Sequence, residues 1–203
     1  MRQLLASLVL LAFAQYCAGA ENSKYFVFVG EKISVTPVPP KDGEILFDEQ
    51  FLARYRVIEP YRGSYDGTEI EFKVYDHYGV PPFASFQHVL LFVELHDGKY
   101  YHAKYQFSPL FKTKDGRWAA PYDADDYGHE YNRQTAIKPE VIDFLNSVEL
   151  DVSRYEKGDL EKWFPKPYFR VKGGKAIAIY GNYVPELFLL KQNGVLKARG
   201  DFQ

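Results

Sequence analysis

The sequence is short of cysteine and of basic clusters, and each shortage excludes a class of protein. One Cys occurs among the 203 residues, at position 17. A lone cysteine cannot form an intramolecular disulfide, so the chain is not a disulfide-stapled domain. The 25 basic and 27 acidic residues are interspersed, with no run of Lys and Arg. This balance argues against nucleic acid and anionic membranes as partners.

Long apolar runs are also scarce, and the one present begins the chain. Residues 1–20 combine Arg2, an apolar core and the small residues Ala18-Gly19-Ala20, the pattern of a cleaved signal peptide. The run is too short to span a bilayer, and charged Glu21 follows it directly. We therefore predict export, to the periplasm or the medium, with no integral membrane segment after cleavage.

The predicted cleavage site decides the fate of Cys17. A cut after Ala20 removes the only thiol, so the mature chain would have no cysteine ligand for a metal. A lipoprotein signal needs a small residue before its cysteine, whereas Tyr16 stands there. A cut after Ala14 is the alternative, and it would keep Cys17. In the preferred case, burial of apolar side chains must hold the fold together.

Aromatic residues are abundant, with 17 Tyr and 16 Phe, and they favour pleated, half-buried strands. The strongest signal is a hairpin over His88 to Phe107, because Asp97-Gly98 is typical of a two-residue turn. The continuous apolar run Val89–Val93 predicts a strand covered on both faces. Alternating apolar residues predict three earlier strands, over Lys24–Val38, Phe51–Glu59 and Thr68–Tyr75.

The pattern changes after Trp118. We expect an acidic, Tyr-rich loop over Asp123–Asn132, and a short helical turn begun by Asp159. Pro139 and the spacing of four apolar residues predict a helix, the four being Val141, Ile142, Leu145 and Val148. Two C-terminal hairpins are expected around Gly173-Gly174 and Asn193-Gly194.

Together these elements predict a mainly β protein of the α+β type. We expect an antiparallel, partly open barrel or sandwich with one or two short helices and a C-terminal pair of β-hairpins. Residues 21–122 would form the barrel or sandwich core. Residues 123–203 would carry the acidic loop, the helix and the hairpins, packed on the same domain. Tyr105, Phe107 and Phe111 are expected to fill the core.

Three segments resemble netrin-like modules of the tissue-inhibitor type, which have an OB-fold. They are the segments Ala53-Arg54-Tyr55-Arg56-Val57, Ile70-Glu71-Phe72-Lys73-Val74 and Val89-Leu90-Leu91-Phe92-Val93. The resemblance covers Phe51 to Tyr122 and implies a small barrel. Members of that family commonly begin with a Cys-x-Cys segment that engages a metalloprotease zinc. Nothing of that kind follows Ala20, so the resemblance implies no inhibitory residue here.

Metal and catalytic motifs are weak. The histidines lack metal-ligand spacing, and His96 and His102 should lie on opposite faces of the hairpin. Asp123 begins a stretch that resembles a calcium-binding loop, but Tyr127 and Gln134 occupy positions where calcium ligands are required. We therefore expect a solvated acidic loop. A calcium site is the alternative. We predict no metal, cofactor or catalytic residue.

Aromatic residues of the acidic loop suggest a binding role, because loops lie outside and carry function. We predict an exported, non-catalytic binding protein for a protein or glycan partner, with Tyr122, Tyr127 and Tyr131 as ligand-binding residues. The alternative hypothesis is a metal-assisted hydrolase that uses Asp76 and His77, or the acidic loop Asp123–Asp126. It requires distant residues to converge.

Overall fold

A computed structural model describes residues 24–43 and 47–201. The predicted signal peptide and Cys17 lie outside these residues. The described chain is mainly β, as predicted, and it has three short α-helices where one or two were expected. Within this part of the chain, no helix is both long enough and apolar enough to cross a membrane.

The centre of the fold is a five-stranded barrel, closed in the order β1-β2-β3-β5-β4. Neighbouring strands are antiparallel except β3 and β5, which run parallel. Asp97 and Gly98 have φ values of 48° and 71°, as a tight hairpin turn between β4 and β5 requires. The strands are β1 Tyr25–Val38, β2 Glu49–Arg62, β3 Glu69–Asp76, β4 His88–His96 and β5 Lys99–Pro109.

Strand β4 is buried on both faces, which confirms the prediction for its apolar run. Leu91 belongs to the cluster that fills the barrel, with Phe28, Tyr55 and Phe72. Phe92, the next residue, faces the opposite way into a second cluster. Because side chains alternate along a strand, one strand separates two cores.

The second half of the chain forms two small sheets and three helices around the barrel. One sheet has the order β6-β7-β12-β8 and the other β10-β11-β9. Their strands are β6 Phe111–Lys112, β7 Trp118–Pro121, β8 Glu140–Val141, β9 Glu149–Asp151, β10 Phe169–Lys172, β11 Lys175–Ala178 and β12 Tyr180–Tyr183. The helices are α1 Ala124–Gly128, α2 Lys157–Trp163 and α3 Val184–Lys191.

The prediction of a helix after Pro139 is wrong, because the segment from Val141 to Val148 is extended. Ile142 and Phe144 are buried while Val141 and Leu145 are 61% and 57% exposed, which is a period of two rather than a helical stripe. The amide of Ile142 donates to Ile179 O at 3.0 Å. Pairing with neighbouring strands therefore overrides the helical spacing.

Of the two predicted C-terminal hairpins, one is confirmed. Gly173 and Gly174 join β10 to β11 with φ values of 60° and 73°. The prediction of a second hairpin is wrong, because the segment expected to be its first strand forms helix α3. Asn193-Gly194 lies in a π-helical turn, and a side chain at Gly194 would meet Asn132 Nδ2 at 2.6 Å. That glycine thus serves close packing and not a hairpin turn.

Two smaller expectations also change. Helix α2 begins at Lys157, so Asp159 lies in its first turn and does not cap it. Tyr105, expected in the core, is 39% exposed. Phe107 and Phe111 are half-buried, and they pack against the barrel core and the third cluster respectively.

His102 is buried in β5, on the opposite face from exposed His96, as predicted. Burial lowers the pKa of His102 to about 4, although its hydrogen bond to Gln106 O raises it. The unfolded chain takes up a proton near pH 6.5, whereas the folded chain resists it down to about pH 4. Because of His102, the fold is therefore more stable above pH 6.5 than in acid. This stability is lost as the pH falls from 6.5 to about 4.

We expect His102→Gln to reduce the acid sensitivity of the fold. Between pH 6.5 and about 4, wild type should lose up to about 1.4 kcal/mol per pH unit relative to the variant. Urea unfolding of both proteins across this window measures the difference. Other titrating groups are common to both, so they cancel. Equal acid destabilisation of the two proteins would contradict the assignment to His102.

Candidate functional site

A cleft of about 1120 Å³ separates the end of β5 from helices α1 and α2. Tyr105, Gln106 and Phe107 line it on the barrel side, and residues 123–129 line it on the α1 side. Lys162 and Trp163 of α2 complete the wall. Clefts of about this size, with apolar walls and a few polar groups, are the usual form of ligand sites.

An irregularity in β5 shapes the barrel side of the cleft. Leu91 pairs with Phe107, but Val93 pairs with His102, so residues 103–106 stand opposite one residue of β4. Such bulges re-aim side chains and are common beside functional sites. This one turns Tyr105 outward to the cleft.

Two hydrogen bonds hold the bulge in shape. His102 Nε2 donates to Gln106 O at 2.9 Å, and Gln106 Nε2 donates to Lys104 O at 3.4 Å. Within the bulge, Tyr105 has a φ of 67°, in the left-handed region that favours glycine. The backbone is therefore strained at the residue that is turned toward the cleft.

The opposite wall contains a stack of three tyrosine rings. The ring of Tyr122 lies between those of Tyr168, at a centroid distance of 4.0 Å, and Tyr127, at 5.1 Å. The interplanar angles are 14° and 11°. Tyr127 Oη donates to Asn182 Oδ1 at 2.9 Å, and burial raises the pKa of its hydroxyl. Since both faces of Tyr122 are covered, Tyr122 supports Tyr127, which borders the cleft.

Helix α1 begins where the sequence suggested a calcium loop. Asp123 Oδ1 accepts hydrogen bonds from two backbone N–H groups, that of Asp125 at 2.9 Å and that of Asp126 at 3.3 Å. This is the arrangement of a helix N-cap. The described residues contain no group of three or more His, Cys, Asp or Glu side chains placed to hold a metal. The acidic segment is thus a capped helical turn.

A buried ion pair lies at the base of the cleft. Lys191 Nζ is 2.8 Å from Asp126 Oδ1, and both side chains are more than nine-tenths buried. Burial raises the pKa of Asp126 to about 6, opposed by the charge of Lys191. Burial lowers the pKa of Lys191, but the charges of Asp126 and its acidic neighbours outweigh this and raise it. At neutral pH both members of the pair are therefore charged.

Two acceptor atoms of the cleft walls lack a partner. Asp126 Oδ2 and Gln106 Oε1 are buried and make no hydrogen bond to any described residue. Buried polar atoms without partners are rare in folded proteins, and each costs about 1–3 kcal/mol. Both residues line the cleft. Both oxygens are closed to solvent, so an O–H or N–H donor of a ligand would reach them only as the cleft wall adjusts.

The structure brings two of the three predicted tyrosines together. Tyr122 and Tyr127 share the stack, whereas Tyr131, 52% exposed, lines a separate cleft of about 410 Å³. Sequence reasoning missed Gln106 and Lys191. A lysine directly after the apolar run Leu187–Leu190 was the available signal for Lys191.

The residues of the hydrolase hypothesis do not converge. Asp76 is buried and accepts the amide N–H of Tyr78 at 2.9 Å. His77 is exposed, and its Nδ1 contacts Phe47 O at 2.9 Å. Neither Asp76 nor His77 lines the cleft, whereas the acidic segment does.

Comparison of the chain with protein-family models, with curated proteins and with solved structures gave no match. The resemblance to netrin-like modules therefore stays a prediction. The function has to be argued from the cleft itself.

Proposed function

We propose that this chain is an exported, non-catalytic binding protein that takes a glycan in the cleft between β5 and α1. The observation that carries the proposal is the pair of unsatisfied, buried oxygens on Asp126 and Gln106. Sugar hydroxyl groups are hydrogen-bond donors, and the C–H faces of sugar rings pack on aromatic side chains such as Tyr127. The residues that line the cleft include both kinds of group.

A glycan fits this site better than a folded protein partner does. Stable protein interfaces bury about 800 Å² on each partner over broad surfaces. The site here is instead a concave cleft of about 1120 Å³, walled by aromatic rings. Three carboxylates, on Asp123, Asp125 and Asp126, line it against two lysines. This charge balance favours a neutral glycan over a sulfated or carboxylated one.

One observation favours a second candidate, a glycan hydrolase that uses Asp126. A carboxyl group whose pKa is raised to about 6 in a cleft has the protonation behaviour of a general acid. Two arrangements oppose catalysis. Asp126 Oδ1 is held by Lys191, and Asp123 caps α1, which leaves Asp125 as the one further carboxylate of α1. Binding without turnover is therefore the preferred function.

The experiment is a binding screen of the full chain, processed as the cell leaves it. We expect a printed oligosaccharide array to show binding to neutral oligosaccharides, and isothermal titration with cellohexaose, chitohexaose and mannohexaose to identify the sugar. Heparin oligosaccharides serve as the anionic control and should not bind. If no neutral glycan binds, the proposal is overturned.

A turnover assay on the same samples separates the two candidates. Release of new reducing ends from a bound oligosaccharide would make the protein a hydrolase. We expect no release.

A further inference from the structure

Exposed aromatic rings continue from the cleft along the barrel, and we call Tyr105, Tyr78 and Phe47 the aromatic strip. They are 39%, 86% and 92% exposed. The ring centroid of Tyr105, which lines the cleft, is 6.3 Å from that of Tyr78. His77 lies between the segments of Tyr78 and Phe47, because its ring is 5.3 Å from that of Tyr78 and its Nδ1 is 2.9 Å from the backbone O of Phe47. Single exposed rings are ordinary, but a contiguous set marks an interaction surface.

The backbone turn that presents Tyr78 is well defined. The amide of Tyr78 donates to Asp76 Oδ1 at 2.9 Å, and Asp76 is buried. Gly79 follows with a φ of 101°, which side chains rarely tolerate, so the turn that presents Tyr78 is specified by its neighbours. A turn held in this way needs little backbone ordering when a ligand covers it.

The strained residue of the barrel belongs to the same strip. Tyr105 occupies a left-handed backbone conformation that glycine would adopt without penalty. Stability alone therefore favours glycine at this position. A tyrosine kept in a strained, exposed position points to a role for its ring.

The charges beside the strip are balanced. Lys104 Nζ lies 5.3 Å from the Tyr105 ring centroid and 2.6 Å from Asp48 Oδ2. The hydrogen bond to Asp48 raises the pKa of Lys104, so Lys104 stays charged and its charge is balanced by that of Asp48. A surface of rings flanked by a neutralised pair suits an uncharged ligand.

We propose that the aromatic strip extends the binding site of the cleft. The ligand is then a chain of several neutral sugars that runs from the cleft over Tyr105 to Tyr78 and Phe47. This inference rests on the proposed function and adds the length of the ligand to it. The supporting observation is continuity, because Tyr105 belongs to both the cleft and the strip.

The test is titration with the best-binding oligosaccharide series, of the cello, chito or manno type, from disaccharide to octasaccharide. Affinity should rise with length beyond the units that fill the cleft. Tyr78→Ala should weaken binding of the octasaccharide roughly three- to tenfold, as expected for one aromatic contact, and leave the disaccharide unchanged. Phe47→Ala should act in the same direction. Tyr155→Ala is the matched control, because Tyr155 is 45% exposed and lines neither the cleft nor the strip.

Tyr105→Gly adds a second readout that separates ring loss from misfolding. The variant should melt at the wild-type temperature or above it, since strain is relieved, and should bind every oligosaccharide more weakly. If disaccharide and octasaccharide bind equally and Tyr78→Ala changes nothing, the strip is not part of the site, and the proposed function stands. If no length binds, the proposed function fails, and the inference fails with it.

Discussion

Asp126→Asn should destabilise the protein by about 3–5 kcal/mol, because it leaves the Lys191 ammonium buried without its partner. Urea unfolding at neutral pH measures the loss. The matched control is Asp143→Asn, which removes the partner of Lys114 from an exposed pair at 2.7 Å. An exposed pair contributes about 0–1 kcal/mol, so the control should be nearly neutral.

The double variant Asp126→Leu/Lys191→Met should behave in the opposite way. Removing both charges abolishes the desolvation penalty, and replacement by apolar residues is often neutral or stabilising by about 1–4 kcal/mol. The penalty comes from burying both charges, so removing both relieves it, whereas removing one leaves the other buried without a partner.

If the double variant is as stable as expected, the pair does not serve stability, and a role in ligand binding can be tested. If Asp126 serves the ligand, the double variant should fold as well as wild type and lose glycan binding. A double variant at least as unstable as Asp126→Asn would show that the pair is structural, and it would remove this argument for the site.

Leu91→Ala should destabilise the protein by about 2–5 kcal/mol, the cost of a large cavity in a packed core. Leu91 is fully buried inside the barrel, on the strand that separates the two cores. Typical domains are stable by about 5–15 kcal/mol, so the loss should appear as a large shift of the urea midpoint.

Leu95→Ala is the control for this prediction, because Leu95 lies on the same strand and is 59% exposed. Its effect should stay within about 0.5 kcal/mol, the range of surface changes. Similar losses for both variants would move β4 out of the centre of the fold.

The strands of the barrel could be predicted from sequence because their signals are local, whereas closure through the parallel β3–β5 pair could not. Alternation marks β2 and β3, and Asp97-Gly98 fixes the β4–β5 turn and its register. The second half was harder because its patterns are ambiguous. Apolar residues at 141–148 fit a helix by spacing, yet they pair as extended chain, and α3 has the apolar content of a strand. In both segments, tertiary contacts determine the secondary structure.

The cleft could be predicted only in part, because it depends on residues distant in the chain. The acidic, Tyr-rich segment is visible in the sequence, and its Tyr127 lines the cleft, as does Tyr122 just before the segment. Gln106 and Lys191 reach the same cleft through a bulge in β5 and the end of α3. Neither the bulge nor that convergence has a local sequence signal.

The most direct test of the central claim is an NMR titration of the isotope-labelled protein with the best-binding neutral hexasaccharide. We expect saturable shifts of the amides at Ala124–Gly128 and Tyr105–Phe107, the two sides of the cleft. The amides of the β10–β11 hairpin, which does not line the cleft, should stay in place. Saturable shifts confined to that hairpin or to the smaller cleft around Tyr131, with both sides of the main cleft unchanged, would contradict the account.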